Sequence, residues 1–339
     1  MKITVPTIDF GTSKIVTMVA QSNGERCDIV GSGAVPYSGY LQDGWNNPDE
    51  IRDVIRTAID QAQKTGNCRI HELNVGVPGM FTCVIVKKVH VSLTGPDPHV
   101  TAQDVRACFK LAEESGGDRI IHSAPAWFRV DDGKKTLSPV GIKGRELSAM
   151  IALVTADKYF IDDITYRLRD MDIEPREFYS TVAGEATYAL SQDERDKTAM
   201  LIDIGYLCTD VMVMEGDALI FHKCLDIGGG HISADIAEQL NIPFPFVEEK
   251  IKQTYSFNST NQDETYVIPA TEDEPARTVR RDEETPIIEA KVEEIAEAIN
   301  KALEEGGVKL GKWSNVYLTG GGLILNKGGK DFLAGKLHR

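Results

Sequence analysis

A short pattern that occurs twice in the chain constrains its fold more than any other feature. Residues 3–19 and 199–214 each contain an apolar stretch, an Asp-x-Gly, a polar turn and a second apolar stretch, which is typical of a β-hairpin. The two aspartates, Asp9 and Asp203, are separated by more than half of the chain. A repeat with this spacing predicts a duplicated core unit and therefore two related lobes.

The length and the order of elements predict the domain organisation. A chain of 339 residues is long enough for about two domains. We expect a first lobe over residues 1–195 and a second over 196–339, with an outer subdomain at about 241–311. Residues 80–155 have their own strands and a helix with a capping-type start, so they are predicted to form a small α+β subdomain inserted in the first lobe.

The hydrophobic patterns predict the individual elements. A helix after Asn47, with Pro48 in its first position, has one apolar face, which consists of Ile51, Val54, Ile55, Ala58, Ile59 and Ala62. Strands of the insert are predicted over 84–93, 120–130, 137–142 and 147–154, and further helices over 157–170, 181–190 and 286–305. Residues 256–286 lack an apolar period and are predicted to form mobile loops or a weak hairpin.

Charge and hydropathy exclude several classes of protein. The 52 acidic and 37 basic residues give a formal net charge of −15, which repels polyanions and argues against nucleic-acid binding. No segment approaches the roughly 20 apolar residues of a membrane-spanning helix. The N-terminal residues lack the apolar run of a secretory signal, so we expect a cytoplasmic protein.

The cysteine spacing favours reduced thiols over a disulfide framework or a zinc site. The six cysteines are scattered without a Cys-x-x-Cys pair, and the seven histidines form no His-x-x-x-His pair. Cys208 has apolar neighbours and is interpreted as a small packed hydrophobe rather than a redox switch.

The two Asp-x-Gly turns, considered together, suit a metal-bridged phosphate. Asp9 and Asp203 are predicted to hold Mg²⁺ largely through water. Backbone flexibility, hydroxyl donors and a positive charge would come from Gly11, Thr12, Ser13, Lys14, Gly205 and Thr209. For either hairpin alone an ordinary turn with a capping acid is the simpler interpretation, but the pair favours two facing turns that clamp a triphosphate.

A glycine run near the C-terminus adds a third element. Gly320, Gly321 and Gly322 follow an apolar strand at 316–319. Because glycine has no side chain, this run would let a flat ring or a ribose lie on the backbone, or it would form a flexible turn.

Two further features are ambiguous. Gly229 and Gly230 precede a predicted helix, so they would present its N-terminus to an anion or pack tightly. Glu249 and Lys252 are three positions apart on a predicted helix, where they would bracket a ribose hydroxyl and base or form a solvated pair.

In chain order, these motifs resemble those of the actin, Hsp70 and sugar-kinase superfamily. Asp9-Phe-Gly-Thr-Ser-Lys14, Asp203-Ile-Gly-Tyr-Leu-Cys-Thr-Asp210 and Leu318-Thr-Gly-Gly-Gly322 resemble its first phosphate, second phosphate and adenosine motifs. Ser138-Pro-Val-Gly-Ile142 and Ile227-Gly-Gly-Gly-His-Ile-Ser-Ala-Asp-Ile236 are similar to stretches of the bacterial cell-division family FtsA. The resemblance spans nearly all of the chain. It implies an α/β, two-lobed actin-like ATPase fold with a duplicated ribonuclease-H-like core and an FtsA-type SHS2 insert.

The same resemblance implies a biological setting. ATP and Mg²⁺ would be the cofactors, the protein would self-associate into polymers, and it would tether the tubulin-like protein FtsZ through the outer subdomain at about 241–311. It would lie on the inner face of the cell membrane at the division site. FtsA proteins end in an amphipathic membrane-binding helix, whereas this sequence stops soon after Gly322, so we expect either a truncated sequence or a membrane tether in another protein.

One motif departs from the family. The second phosphate motif usually reads Asp-Ile-Gly-Gly-Gly-Thr-Thr-Asp, and here Tyr206, Leu207 and Cys208 follow Gly205. If either bulky residue needed a positive φ, the strain would be about 1–2 kcal/mol, which nucleotide binding would survive. Hydrolysis depends on ångström-level placement of water, so we expect weak or absent turnover. Asp9 and Asp203 would be catalytic only if hydrolysis occurs, and Glu185 is a candidate acid or a plain surface charge.

The preferred hypothesis is an ATP-binding scaffold of cell division with at most weak ATPase activity. The first alternative is a PilM-like platform for pilus assembly, which shares the inserted subdomain. A small-molecule kinase of the same superfamily would need a general base near the phosphate turns, and the sequence offers no convincing one. An Hsp70-like chaperone is disfavoured because no substrate domain follows.

Overall fold

The computed structural model describes residues 3–24, 26–42, 44–117, 119–258, 265–270, 275–311, 314–323 and 326–337. Helices and strands are mixed along the chain, which divides into two compact units. The first unit contains Met1–Leu201, Met212–Lys223 and Leu310–Val316; the second contains Ile202–Val211, Cys224–Lys309 and Tyr317–Arg339. These units are made of separate chain segments and do not test the predicted lobe boundaries, which stay predictions.

The elements of the first 198 residues alternate between sheet and helix. The strands are β1 (Ile3–Phe10), β2 (Lys14–Ser22), β3 (Cys27–Pro36), β4 (Tyr40–Leu41), β5 (Gly44–Trp45), β6 (Glu72–Val77), β7 (Thr82–Ser92), β8 (Ile120–Val130), β9 (Glu146–Ala156) and β10 (Glu174–Ser180). The helices are α1 (Ile51–Gly66), α2 (Ala102–Glu114), α3 (Lys158–Arg169), α4 (Thr181–Ala189) and α5 (Gln192–Arg195), with a 3₁₀ turn at Gly79–Phe81.

A five-stranded sheet of order β10–β6–β1–β2–β3 forms the base of the first unit. The predicted hairpin is confirmed: β1 and β2 are antiparallel, with Asp9 opposite Val16. α1 packs on β2 and β3, and all six residues of its predicted apolar face are buried. The prediction that Pro48 opens this helix is wrong. A turn closed from the Glu50 amide to the Asn47 carbonyl comes first, and the helix begins at Ile51.

An aromatic cluster supports the end of β1. The Phe10 ring lies 5.7 Å from the ring of Trp45 and 5.5 Å from that of Phe160, in an edge-on contact with the latter. Phe81 stacks on Phe160 at 5.0 Å, and the Trp45 indole donates a 2.7 Å hydrogen bond to Asp163. Because these rings are buried and interlocked, the residue that precedes the first glycine turn is held in one position.

The predicted insert contains a sheet of order β7–β9–β8 with α2 packed against it. The capping-type start of the helix is confirmed, since the Thr101 hydroxyl accepts from the Asp104 amide while the Asp104 carboxylate accepts from the Thr101 amide. The strand predicted over 137–142 is wrong. Pro139 has no N–H, Gly141 has a φ of +88°, and the Ile142 amide donates back to the Pro139 carbonyl, so this stretch forms a turn.

The second Asp-x-Gly hairpin lies in a four-stranded sheet of order β13–β12–β11–β16. Its strands are β11 (Ala199–Ile204), β12 (Thr209–Glu215), β13 (Ala218–Leu225) and β16 (Val316–Thr319). The turn between β12 and β13 contacts the insert within the first unit. Lys135 pairs with Glu215 at 2.6 Å, and the Asp217 amide donates to the Pro125 carbonyl at 3.0 Å.

Replacing Gly216 in that turn with alanine is expected to destabilise the protein by about 2–3 kcal/mol. Gly216 has a φ of +59°, and a Cβ there would lie 2.2 Å from the Ala126 carbonyl oxygen, so strain and a backbone clash add. Gly117→Ala is the matched control, because Gly117 also has a positive φ but no atom within 4 Å of the new Cβ. Thermal unfolding should show a clearly larger loss for Gly216→Ala. Equal losses would contradict the clash.

The remaining elements belong to the second unit. They are α6 (Gly229–Gln239), α7 (Phe244–Phe246), a π-helical turn (Val247–Ile251), α8 (Lys252–Thr254), β14 (Thr265–Ile268), β15 (Arg277–Arg280), α9 (Arg281–Glu305) and α10 (Gly329–Lys336). The weak hairpin predicted within 256–286 is confirmed by the antiparallel pairing of β14 and β15. The predicted loops at 259–264 and 271–274 lie outside the described residues.

The longest helix, α9, begins at Arg281 rather than at the predicted Pro286. Its start is capped because the Glu283 carboxylate accepts from the Arg280 amide, and this places Pro286 within the second turn. In the part of the chain that the structure describes, no helix combines the length and the apolar character needed to cross a membrane.

Candidate functional site

The first glycine turn connects β1 to β2 and is closed by its own backbone. The Gly11 amide donates to the Lys14 carbonyl at 3.1 Å. The neighbouring carbonyls are held from outside the turn, because the Tyr37 hydroxyl donates to Gly11 at 2.8 Å and the Tyr40 hydroxyl donates to Phe10 at 2.9 Å. The Tyr37 amide donates to the Ser13 carbonyl. The turn is therefore fixed while Lys14 remains exposed.

Asp9 is half-buried at the end of β1, beside β6. A Cβ at Gly76 would lie 2.8 Å from the Thr181 methyl carbon and in ordinary contact, at 3.4 Å, with an Asp9 carboxylate oxygen, so Gly76 lies directly beside this carboxylate. Burial raises the pKa of Asp9 above its ordinary 3.8, while the Phe10 amide and the Lys14 charge oppose the shift. The sequence patterns did not predict Gly76 or Thr181 as neighbours of Asp9. Gly76 could have been recognised, because a glycine between apolar residues of a strand often marks a close approach.

The second glycine turn repeats the first in detail. The Gly205 amide donates to the Cys208 carbonyl at 2.9 Å, the same three-residue closure as in Gly11 to Lys14. Neither Tyr206 nor Leu207 has a positive φ. The backbone strain considered for these two bulky substitutions is therefore not present, because this turn needs no left-handed residue.

The third glycine run packs directly on the second turn, within the second unit. A Cβ at Gly320 would lie 2.1 Å from an Asp203 carboxylate oxygen, and Gly320 has a φ of +89°. The Gly322 amide donates to the Ile204 carbonyl at 2.7 Å. Gly321 differs from both, since it is exposed and an added Cβ would have no neighbour within 4 Å. Asp203 and the glycine runs thus meet at one place.

Gly229 and Gly230 join the same cluster by tight packing. The Gly229 amide donates to the Gly205 carbonyl at 2.9 Å, and the Gly230 amide donates to the Tyr206 carbonyl at 2.7 Å. A Cβ at Gly229 would lie 2.5 Å from the α-carbon of Gly322. Of the two interpretations of this helix start, close packing is the one that these hydrogen bonds support, because both amides already have protein acceptors.

A charged pair lies beside Tyr206. Lys252 Nζ is 3.1 Å from Glu248 and 5.5 Å from the centre of the Tyr206 ring, and the Lys252 side chain is only 12 % exposed. Burial, and then the charge of Glu248, raise the pKa of the Tyr206 hydroxyl. The structure pairs Lys252 with Glu248, whereas the predicted partner Glu249 is exposed. Glu248 and Lys252 have the i,i+4 spacing of a helical pair, so helical periodicity allows this partner as well as Glu249.

Thr209 has a partner within the protein. It is completely buried, and its hydroxyl donates to the Ile227 carbonyl at 2.7 Å. Thr12 is buried at the first turn and Ser13 is half-buried. Contacts of any of these residues with a nucleotide stay predictions.

Two family profiles match the chain. The profile described as "Cell division protein FtsA" matches residues 200–320, which include the second turn, Gly229, Gly230 and Gly320. The profile described as "SHS2 domain inserted in FTSA" matches residues 83–155, in the predicted insert. The chain belongs to the FtsA family. It is therefore an actin-like protein of the cell-division class.

Curated FtsA proteins align with most of this FtsA-family chain. FtsA of Pseudomonas aeruginosa is 25% identical over 320 residues, which cover 93% of this chain and 76% of that protein. FtsA of Bacillus subtilis is 26% identical, with coverages of 89% and 70%, and FtsA of Escherichia coli K12 is 24% identical, with coverages of 93% and 77%.

Solved structures confirm the predicted actin-like α/β fold. A chain of the PilM–PilN type IV pilus biogenesis complex has a TM-score of 0.63 at 17% identity and covers 99% of this chain and 87% of its own. MreB5 of Spiroplasma citri bound to ADP has a TM-score of 0.54 at 11% identity, with coverages of 96% and 86%. At these identities the likeness shows the fold alone.

Proposed function

We propose that this FtsA-family protein binds ATP with Mg²⁺ and acts as a nucleotide-controlled scaffold in cell division. The observation that carries the proposal is that the glycine turns converge on Asp203, where Gly320 packs against the carboxylate and the neighbouring Gly321 is exposed. The solved MreB5 relative was bound to ADP, which supports an adenine nucleotide. The first turn, with Lys14 exposed, is proposed as a second contact for the phosphates.

The residues present suit Mg²⁺. Each carboxylate is bordered by a glycine, Asp9 by Gly76 and Asp203 by Gly320, where any side chain would fill the space beside the oxygens. Mg²⁺ keeps several of its waters, so it needs few protein ligands at either carboxylate. Bound there, Mg²⁺ would neutralise phosphate charge, while Lys14 would add a positive charge and the exposed Gly321 a surface for the nucleoside.

Turnover is proposed to be weak or absent. The Tyr206 ring packs against Gly230 and beneath Lys252, so the second turn carries an aromatic side chain where the family has glycine. A closed turn with a fixed bulky side chain limits how a water is placed for attack. Binding and closure, rather than hydrolysis, would then control assembly.

Adding ATP and Mg²⁺ is expected to raise the melting temperature of the full chain. A ligand that binds only the folded state stabilises it by about 2.7 kcal/mol at a hundred times its Kd. The measurement is a thermal-shift titration with ATP, ADP and GTP, each with Mg²⁺ and with EDTA, followed by phosphate release over hours. The absence of a shift with every nucleotide would contradict the proposal. Rapid phosphate release would contradict weak turnover alone.

The partner and location follow from family membership and are also proposals. The protein would bind the tubulin-like FtsZ through the outer subdomain, self-assemble into polymers, and lie at the membrane at the division site through a segment beyond this sequence or through another protein. Within the outer subdomain, β14 carries one exposed apolar side chain, Val267, which is 64% exposed and is the position chosen to test this contact.

Val267→Glu is expected to weaken binding of the C-terminal FtsZ peptide at least tenfold, because a carboxylate would be desolvated at the contact. Leu111→Glu is the matched control, since Leu111 is an exposed apolar residue of the insert. Peptide affinity is measured by fluorescence anisotropy. An unchanged affinity for Val267→Glu, or an equal loss for Leu111→Glu, would contradict a peptide contact at Val267.

The pilus-assembly alternative rests on fold likeness to the PilM-containing complex, which does not specify a partner. A PilN-type N-terminal peptide in the same anisotropy experiment tests it directly. Binding of that peptide in place of the FtsZ peptide would reverse the order of the two proposals.

A further inference from the structure

Two cysteines and an aspartate meet behind the second glycine turn. The Sγ atoms of Cys208 and Cys224 and a carboxylate oxygen of Asp210 all lie within 4.8 Å of one another. Cys208 is 8% exposed and Asp210 is 9% exposed. In the described part of the chain, this is the one group of three or more Cys, His, Asp or Glu side chains with such spacing.

The fold brings these residues together from separate strands. Cys208 precedes β12, Asp210 lies in β12, and Cys224 lies in β13, which neighbours β12 in the sheet. The sequence spacing favoured isolated reduced thiols because it contains no Cys-x-x-Cys pair. A cross-strand pair has no fixed sequence spacing, so the pattern could not reveal it.

The ligand set suits a metal of a particular class. Thiolate sulfur prefers soft or borderline metals such as Zn²⁺, and a carboxylate oxygen is a common additional ligand. Two sulfurs bound about 2.3 Å from a tetrahedral centre would be about 3.8 Å apart. The observed cluster needs a contraction of about 1 Å at most to reach this geometry.

In the metal-free cluster the thiols are held in their protonated form. The hydrogen bond with Cys208, burial and the negative charge of Asp210 all raise the pKa of the Cys224 thiol. A divalent cation would have to displace the thiol protons, so its binding is expected to strengthen as the pH rises. A simple disulfide switch is less well suited, because a thiol beside a carboxylate forms little thiolate for exchange.

We propose that Cys208, Asp210 and Cys224 form a three-ligand site for a thiophilic divalent cation of the Zn²⁺ class, with water in the fourth position. The Cys208 carbonyl accepts from the Gly205 amide, so a cation on the Cys208 side chain would fix the second glycine turn. The site is separate from the proposed Mg²⁺ ligands and does not depend on nucleotide binding.

The test uses the full chain, reduced and stripped with a chelator, and then titrated with Co²⁺ and Zn²⁺. We expect one Co²⁺ per chain with a thiolate-to-metal charge-transfer band, its displacement by Zn²⁺, and a rise in melting temperature. Co²⁺ bound by carboxylates alone gives no such band, so the band cannot come from Co²⁺ bound at Asp9 or at Asp203.

Variants decide which thiols are responsible. Cys208→Ser and Cys224→Ser should each lose the band, whereas the double variant Cys27→Ser/Cys83→Ser, at two exposed thiols, should keep it. The metal-free melting temperature of each variant reports whether it is folded. Two results would each overturn the proposal. One is the absence of the band in the reduced wild type, and the other is a band that survives in folded Cys224→Ser.

Discussion

Gly320→Ala is expected to abolish measurable nucleotide binding and to lower the free energy of unfolding by about 2–4 kcal/mol. Gly320 has a φ of +89°, which costs an alanine about 1–2 kcal/mol. The added methyl would also lie 2.1 Å from an Asp203 carboxylate oxygen and 2.3 Å from the Ile204 carbonyl oxygen, so the strand end must shift. Displacing Asp203 moves a proposed Mg²⁺ ligand and the second glycine turn together.

The neighbouring glycine provides the control for this experiment. Gly321 has no atom within 4 Å of a new Cβ, and its φ is not positive. Gly321→Ala should therefore leave the nucleotide-free melting temperature unchanged. Both variants are compared by thermal unfolding without nucleotide and by titration with Mg²⁺–ATP. If Gly320→Ala melts and binds like the wild type, the glycine cluster does not form as described.

Asp9→Asn is expected to change binding and stability in opposite directions. Removing the carboxylate charge should weaken Mg²⁺-dependent nucleotide binding by roughly tenfold to a hundredfold, the range for losing a partner of a metal's ligand shell. The nucleotide-free protein should become more stable at neutral pH, because burial makes the ionised Asp9 costly in the folded state.

The pH dependence gives the second part of this prediction. The pKa of Asp9 in the folded state is raised above its ordinary 3.8. Protonated Asp9 therefore contributes its full stability to the wild type below pH 3.8, and this contribution is lost as the pH rises through the folded pKa. The stability gain of Asp9→Asn should therefore be present at neutral pH and vanish below about 3.8. Thermal unfolding across pH 3 to 8, roughly the span over which carboxylates titrate, measures it.

Asp28→Asn is the control for charge removal, because Asp28 is exposed on β3. It should leave the nucleotide affinity unchanged. A loss of stability in Asp9→Asn at neutral pH, or an unchanged Mg²⁺–ATP affinity, would contradict the assignment of Asp9 as a buried metal-facing carboxylate.

Features with a local cause were predictable from the sequence. The buried face of α1 follows from helical periodicity, and its six predicted residues are those that the fold covers. The Thr101 cap requires only Asp104 three positions later. The two hairpins were visible because alternating apolar residues around a glycine turn specify strand pairing at short range.

Features that depend on distant neighbours were not predictable in this way. Residues 137–142 are apolar enough for a strand, but Pro139 and the left-handed Gly141 turn the chain. Helical spacing allowed either Glu248 or Glu249 as the partner of Lys252, and the structure pairs it with Glu248. Among the three C-terminal glycines, only the packing of the second unit distinguishes Gly320 and Gly322 from the open Gly321.

The sequence by itself determined the family and the repeated Asp-x-Gly turn, because each is set by residue types at short, regular spacing. The tertiary structure alone decided that Gly205, Gly229 and Gly322 touch, that Gly76 borders Asp9, and that Cys208 and Cys224 face each other. The reason is physical: hydrogen bonds within a turn depend on neighbours in the chain, whereas close approach between turns depends on how strands far apart in sequence align in a sheet.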